Sequence, residues 1–532
     1  MSINIIGAGL AGLSAALTLA EQNIPCNLIS YAQSERSQSV MAEGGINAAL
    51  DTSGEHDTVE EHFADTLKGG VYLADENAVW GLCTHAPEVV TKLDRLGVPF
   101  SHNDKGIVQR YFGGQKKKRT AYVKASTGKM LVTALIDEVR KYEAQGLVTR
   151  YPRHRFVQLI LEGGVCTGVQ IADRFTNDPT VLDGSVIIAC GGMAGLFDGM
   201  TTGSAHNTSD AVATLFSQGV ELSNLEFVQY HPTTIGISGK RLLISEAARG
   251  EGGRLFVRKN GEPWYFMEEI YPELKNLMPR DVVSAEMVNV TSRGDCEDQV
   301  YLDMTGIDKT VWKTRLSDLR DQCIHYISVD PVKEPIPVSP GIHYFMGGIW
   351  VDDRHQTNIK NLYAAGECAC QYHGANRLGG NSLLGAIYGG RVAAESAINL
   401  SMEKRAAGQR KAEGLNQTNP AFDEVSPELA EKISAILYRS LPILRNENDM
   451  QQAQQELNAL FAPVLNEAEK RRLYLALAMV QSALNRQESR GAHKRTDYPE
   501  RDDEHFRKQS IVCFAGGKVM LSLRDIPERR SR

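Results

Sequence analysis

Long hydrophobic runs are missing from this sequence. No segment of the 532 residues has the length and apolar purity of a membrane span, which excludes direct membrane insertion by a helix. Cysteine is sparse: nine residues, an odd and scattered set with no spacing that suits a disulfide framework, so a reducing compartment fits and a cytoplasmic location is expected. Cys368 and Cys370 form a C-x-C with no further cysteines close by, which argues against an iron–sulfur cluster or structural zinc held within the chain; no metal site is expected. Positive charge is not in excess either. The net charge of −7 gives no reason to expect nucleic-acid binding, and the one basic run, Lys116 to Arg119, reads as solvated surface. No signal peptide is evident, because the first residues already read as a buried strand entering a glycine loop.

What is present is an ordinary globular composition, 42% hydrophobic and 23% charged, in a chain long enough for more than one domain. Ile3 to Ile6 is a short apolar run. It leads into Gly7-Ala8-Gly9-Leu10-Ala11-Gly12, then into an Ala- and Leu-rich helical stretch, Leu13 to Glu21, and a second strand, Cys26 to Ser30. This order opens a Rossmann-like unit. Two further buried-strand signals, Ser185 to Ala189 and Leu362 to Ala365, lie far along the chain and each ends at a glycine. A nucleotide-binding domain interrupted by a long insertion and completed later accounts for that spacing. Helical periodicity returns at Gly389 to Met402 and, after a polar stretch with Gly408, Gly414 and Pro420, at Ser426 to Arg486.

Gly7, Gly9 and Gly12 fit the dinucleotide fingerprint. The first permits the tight turn, the second lets the backbone approach a pyrophosphate, and the third lets helix pack on strand, while the helix N-terminus turns its N–H groups to the anion. The acid that would bind an NAD ribose at the end of the second strand is absent, and Ser30 and Tyr31 stand there instead. That tilts the reading towards FAD.

Several longer motifs now carry a resemblance. Arg36 to Gly45 resembles the segment that lies against the flavin in succinate dehydrogenase and fumarate reductase flavoprotein subunits. Phe112-Gly113-Gly114 through Thr120, Gln229 to Thr233, Ser245 to Gly253, Pro279-Arg280-Asp281, His343 to Gly348, Gly366-Glu367-Cys368, His373 to Leu383 and Glu488 to Asp503 are similar to that family in the same order. The resemblance extends over nearly the whole chain, and L-aspartate oxidase shares the superfamily. It implies an α/β fold: a Rossmann-like FAD-binding domain (residues 1–226 and 342–402), interrupted by an α+β capping domain (227–341), then a linker (403–425) and a helical C-terminal domain (426–532).

The resemblance also implies site residues. The FAD contacts expected are Gly7, Gly9, Ala11, Gly12, Ser30, Gln38, Ser39, Gly44, Gly45, Asp210 at the adenosine ribose, Glu367, Arg377, and the backbone N–H groups of Ser382 and Leu383. Family members in membrane complexes usually carry a flavin-linked histidine where this chain has Gln38; glutamine cannot form that bond, so non-covalent FAD is expected, with a bias towards fumarate reduction. His231, Ser245, His343 and Arg377 are expected to clamp the two carboxylates of fumarate or succinate, a task that suits the planar arginine fork. In the implied chemistry, flavin N5 exchanges hydride with the substrate while Arg280 donates a proton, resupplied through Glu246 and Arg249. Arginine is an unusual acid, with a free pKa above ~12, and needs a crowded cationic site to serve.

Phe112 separates the close alternatives. Aspartate oxidases of this type place a glutamate there for the substrate ammonium, whereas a phenyl face offers only a modest attraction, so Phe112 favours fumarate and succinate. L-Aspartate oxidation remains the alternative, as does an electron-relay flavoprotein with an idle substrate site. Arg490 and His493 are expected to be structural. An iron–sulfur subunit is the partner that the resemblance implies, and any membrane association would run through partner subunits.

Overall fold

The computed structural model describes residues 2–529 apart from 125, 407–422 and 463, with the side chains of 400–406 also excluded. The expected linker therefore lies mostly outside the described residues. Five parallel strands form the central sheet, in the spatial order Leu362–Ala364, Val186–Ile188, Ile3–Ile6, Cys26–Ser30, Val148–Pro152. These short apolar runs are the kind that a parallel sheet covered on both faces requires. Helix Leu10–Glu21 is buried from Leu10 to Ala20 and packs beside helix Asn381–Ala406, with the Ser14 hydroxyl donating to the Ile387 carbonyl at 2.7 Å. The glycine turn is sterically obligatory. Gly7 has φ +116°, and a Cβ on Gly12 would stand 1.8 Å from the Gly7 carbonyl oxygen.

A six-stranded antiparallel sheet builds most of the insertion, in the order Lys240–Leu243, Val228–Ile237, Ile336–Phe345, Cys296–Asp303, Arg254–Lys259, Glu262–Trp264. It has its own core, including Leu255, Val257, Phe266, Val283, Trp312 and Leu319. Its two long strands run back to the central domain and carry His231 and His343. Their register shifts between His231 and Thr234, a bulge of the kind that re-aims a side chain.

The C-terminal part is helical over Pro427–Ser440, Glu447–Ala459 and Glu467–Asn485. It then ends in a β-hairpin, Lys508–Ala515 and Lys518–Asp525, which the sequence reading did not anticipate. The first hairpin strand pairs with Leu222–Ser223, so the chain end is sewn into a sheet of the first domain. Leu473, Leu475 and Leu477 share one core with Val212, Leu215 and Phe216. A buried ion network reinforces the junction: Arg486 meets Glu226 at 2.7 Å and Glu488 at 2.9 Å, and Arg490 meets Glu488 at 2.7 Å. Arg490 and His493 are fully enclosed there.

The basic run corrects the surface reading in part. Lys116 is exposed, but Arg119 is fully buried, bridging Asp57 at 2.8 Å and Asp65 at 3.0 Å. A cation set between two carboxylates is a structural tie, not a partner contact.

Candidate active site

A groove of about 450 Å³ starts at the glycine turn and ends at the capping domain. Gly7, Gly9, Ala11, Ser30, Gln38, Ser39, Glu367, Arg377, Ser382 and Leu383 all line it. Gly12 does not; it sits behind the turn, where it allows helix and strand to meet. Two long helices begin at the groove, Leu10–Glu21 and Asn381–Ala406, and neither has an acidic residue in its first turn. The positive helix end thus faces the groove at both places. Gln38 turns its carbonyl oxygen to the Ser204 N–H at 2.5 Å. Burial pushes the Glu367 carboxyl up to about 7, although it accepts the Phe345 N–H at 3.2 Å. Asp210 lies apart, in an adjoining cavity, where Arg472 holds it at 2.6 Å.

A much smaller cavity, about 50 Å³, opens where the groove meets the capping domain. Phe112, His231, Ser245, Glu246, Arg280, His343 and Arg377 converge on it, from segments 265 residues apart in sequence at the extremes. Gly44 and Gly45, expected at the cofactor, line this cavity. A Cβ on Gly44 would lie 2.9 Å from the Phe112 ring, so the wall closes only with glycine there. Arg249 does not reach the cavity; it stands behind Glu246 at 3.3 Å, with its Nη1 donating to the Asn276 carbonyl at 2.6 Å.

Glu246 organises the cations. Its Oε2 accepts from Arg280 Nε at 3.0 Å and Nη2 at 2.6 Å, and its Oε1 accepts from the Gly113 N–H at 3.0 Å. Burial alone would raise this carboxyl, but Arg280 and Arg249 hold it down to about 2. His231 and His343 stack edge to face, 5.1 Å between centroids. Burial first, then Arg280, keeps both well below the ordinary histidine range, so both are neutral. Burial and the nearby Arg280 also lower Arg377 to about 9, and its Nε has no partner. Positive charge exceeds negative charge in a buried pocket. That arrangement costs free energy until an anion arrives.

Some positioning residues escaped the sequence reading. The Thr202 hydroxyl lies 2.8 Å from His343 Nδ1. Gln229 accepts from Arg280 Nη1 at 3.1 Å and donates to the Arg377 carbonyl at 2.9 Å, so it ties the two arginines to one another. Gln229 belongs to a motif already noted, and that was its only signal. Glu43, also in a noted motif, lines the small cavity, accepts from Gln322 at 3.0 Å and is pushed up to about 7 by burial.

Comparison with known proteins agrees with this geometry. The FAD binding domain family matches residues 3–383, and the fumarate reductase flavoprotein C-term family matches residues 468–529. The succinate dehydrogenase flavoprotein subunit of Bacillus subtilis is 37% identical over 552 residues, covering 96% of this chain and 93% of its own. The chain belongs to the succinate dehydrogenase/fumarate reductase flavoprotein family. Within that family, the 8-methylmenaquinol:fumarate reductase flavoprotein subunit of Wolinella succinogenes is 33% identical, covering 98% of this chain and 90% of its own. Among solved structures, a quinol fumarate reductase of E. coli superposes with TM-score 0.88 at 30% identity, covering 100% of this chain and 97% of its own. The protein is thus an FAD-binding oxidoreductase, as its sequence implied.

The groove itself fits FAD. Its length runs from the anion-binding turn to the N-terminus of the second helix, and the orphaned Arg377 Nε and half-buried Gln38 lie at the far end. Bound there, FAD would supply hydride chemistry next to the small cavity. No helix of the described residues is long and apolar enough to cross a membrane.

Proposed function

We propose that this flavoprotein interconverts fumarate and succinate, with a bias towards fumarate reduction, and holds its FAD non-covalently. One observation carries the reading: two neutral histidines, a serine hydroxyl and two arginines converge on one small, buried cavity beside the cofactor groove. A dicarboxylate supplies the negative charge that this cavity lacks. Ser245, His231 and His343 offer neutral donors, and Arg377 offers a bidentate fork to a carboxylate. His231 Nδ1 lies 3.3 Å from the Thr233 N and 3.2 Å from the Thr233 carbonyl oxygen, contacts that fix the ring at the cavity wall. Arg280 faces the cavity with its Nη2 on Glu246, and so is placed to hand over a proton and to be recharged from Glu246, with Arg249 next in line. Preorganised cations in a water-poor site supply most of the acceleration.

The direction follows from Gln38. A covalent link would make the flavin a better electron acceptor, and a glutamine cannot form one. We also propose that the chain works as a subunit that receives electrons from an iron–sulfur partner and meets the membrane through such partners.

Anaerobic flavin absorbance tests the reading. The photoreduced protein is titrated with fumarate, and the oxidised protein with L-aspartate. Reoxidation by fumarate without bleaching by aspartate is the expected result. Aspartate belongs in the test because Glu43 leaves Oε2 unpartnered at the cavity and could meet an ammonium. Bleaching by aspartate would overturn the fumarate assignment. Flavin that remains on the denatured chain would overturn the non-covalent one.

A further inference from the structure

The groove does not end at the glycine turn. A second cavity, about 490 Å³, opens beyond it and shares Gly7, Tyr31, Cys190 and His206 with it. In a dinucleotide fold the phosphates sit at the turn after the first strand, and the ribose lies beside the end of the second. Gly7 and Ile29 stand at those two places, and both line the second cavity, so the adenosine half of FAD enters here. The opposite wall comes from another part of the chain. Glu467, Arg471 and Arg472, of helix Glu467–Asn485, and residues 423–425 close it.

We infer that the C-terminal domain forms part of the FAD site, and that Arg472 is the residue through which it holds the adenosine end. Arg472 Nη2 donates to Asp210 Oδ1 at 2.6 Å and to the Thr208 carbonyl at 3.0 Å, which fixes the carboxylate at the cavity wall. Asp210 Oδ2 is left to accept from a ribose hydroxyl. Arg472 Nε is buried without a partner, on a residue that lines the cavity. A buried guanidinium N–H lacks an acceptor at a real cost, and the oxygens and ring nitrogens of adenosine are acceptors. An ordinary surface ion pair would have neither the enclosure nor the missing bond: the Asp210 side chain is 53% exposed, but that of Arg472 only 10%. The inference rests on the non-covalent reading of Gln38, which leaves retention of FAD to contacts of this kind.

The test uses the full chain, freed of flavin with chaotropic salt, and compares Arg472→Met with the parent and with Arg439→Met, a partly exposed arginine of the same domain. Dissociation constants are measured for FAD, ADP and FMN. In Arg472→Met, FAD and ADP should each bind about tenfold more weakly, a change of roughly 1.4 kcal/mol. FMN, which lacks the adenosine, should bind as it does to the parent. Arg439→Met should leave all three unchanged. Equal weakening of FAD and FMN would mean a general structural effect and would overturn the inference, as would unaltered ADP affinity. The melting temperature of the flavin-free variant separates folding from binding: it should match the parent, while the FAD-induced rise shrinks. Flavin that cannot be stripped because it is covalent would sink the non-covalent reading and this inference together; strippable flavin with unchanged constants sinks this inference alone.

Discussion

Two clusters of buried arginines in this protein look alike in composition and differ in completion. Behind the C-terminal helices, Arg486 and Arg490 are matched to Glu226, Glu488 and Asp503 at 2.7 to 2.9 Å. In the small cavity, Arg249, Arg280 and Arg377 share one ionised carboxylate, Glu246, and both Arg249 and Arg377 keep unpartnered N–H groups. The first cluster has used its charges to join two parts of the chain. The second has held charge back. In the small cavity the incomplete cations stand beside the cofactor groove, where an anionic ligand can complete them.

That contrast can be broken from either side. The largest effect is expected from Arg280→Gln. Removing the proposed proton donor should lower kcat by a factor on the order of 10³ to 10⁴ while dicarboxylate binding changes little; single-turnover reoxidation of reduced flavin by fumarate measures it. A normal rate would remove Arg280 from the chemistry. Next comes the completed cluster. Glu488→Gln leaves Arg486 and Arg490 without their shared partner and should cost about 3–5 kcal/mol in urea unfolding, with substrate affinity of the folded fraction unaltered. Arg377→Met should do the reverse. It relieves repulsion from Arg280, so stability should hold or rise, while KM for fumarate rises about 100-fold, near 2.7 kcal/mol. A large loss of stability in Arg377→Met would contradict the idea that this cluster is held in deficit.

The pH dependence sharpens the same point. Since burial and Arg280 keep His231 and His343 neutral, neither imidazole should add a step to kcat/KM for fumarate between pH 6 and pH 8. Glu43 is pushed up to about 7 by burial at the same cavity, so it gains a negative charge there and kcat/KM for the dicarboxylate should fall as pH rises through about 7. Arg377 binds an anion only as a cation. Its value in the free protein is lowered to about 9, so kcat/KM should fall as pH rises through about 9, by up to tenfold per unit. A step near pH 6.5 that survives Glu43→Gln would show that an imidazole titrates with substrate.

The parts of this design that sequence made legible are local. Gly7, Gly9 and Gly12 lie close together between an apolar strand and a helix, and that local setting makes their spacing read as a phosphate cradle. The two long-range strand signals, near residues 186 and 362, were visible because a doubly covered strand must be apolar throughout. The substrate residues were named only through the resemblance; nothing in their own spacing says that His231 and Arg377 share a wall. The C-terminal hairpin escaped notice because its outer strand, Lys518–Asp525, alternates exposed and half-buried positions and mixes charge with Met520 and Leu523. Arg119 was misread because a basic run looks solvated until Asp57 and Asp65, about 60 residues away, are seen to enclose it. Arg472 and Thr202 carried no signal at all, since each acts on a residue that the fold alone brings near.

Thr202 gives the smallest and most discriminating effect. The neutral imidazole of His343 can carry its proton on either nitrogen, and only Nε2–H can donate into the cavity while Nδ1 faces Thr202. A hydroxyl donating to Nδ1 selects that tautomer. Thr202→Val preserves shape and deletes the donor, so KM for fumarate should rise about threefold to tenfold, the worth of one neutral hydrogen bond near 1 kcal/mol, with kcat almost unchanged. Thr202→Ser should restore it. The ¹⁵N shifts of His343 should report a mixture of tautomers in the valine variant and a single one in the parent and in the serine variant. A KM restored by serine without a tautomer change would mean that the hydroxyl acts through the loop that Ser204 fastens to Gln38, and not through the imidazole.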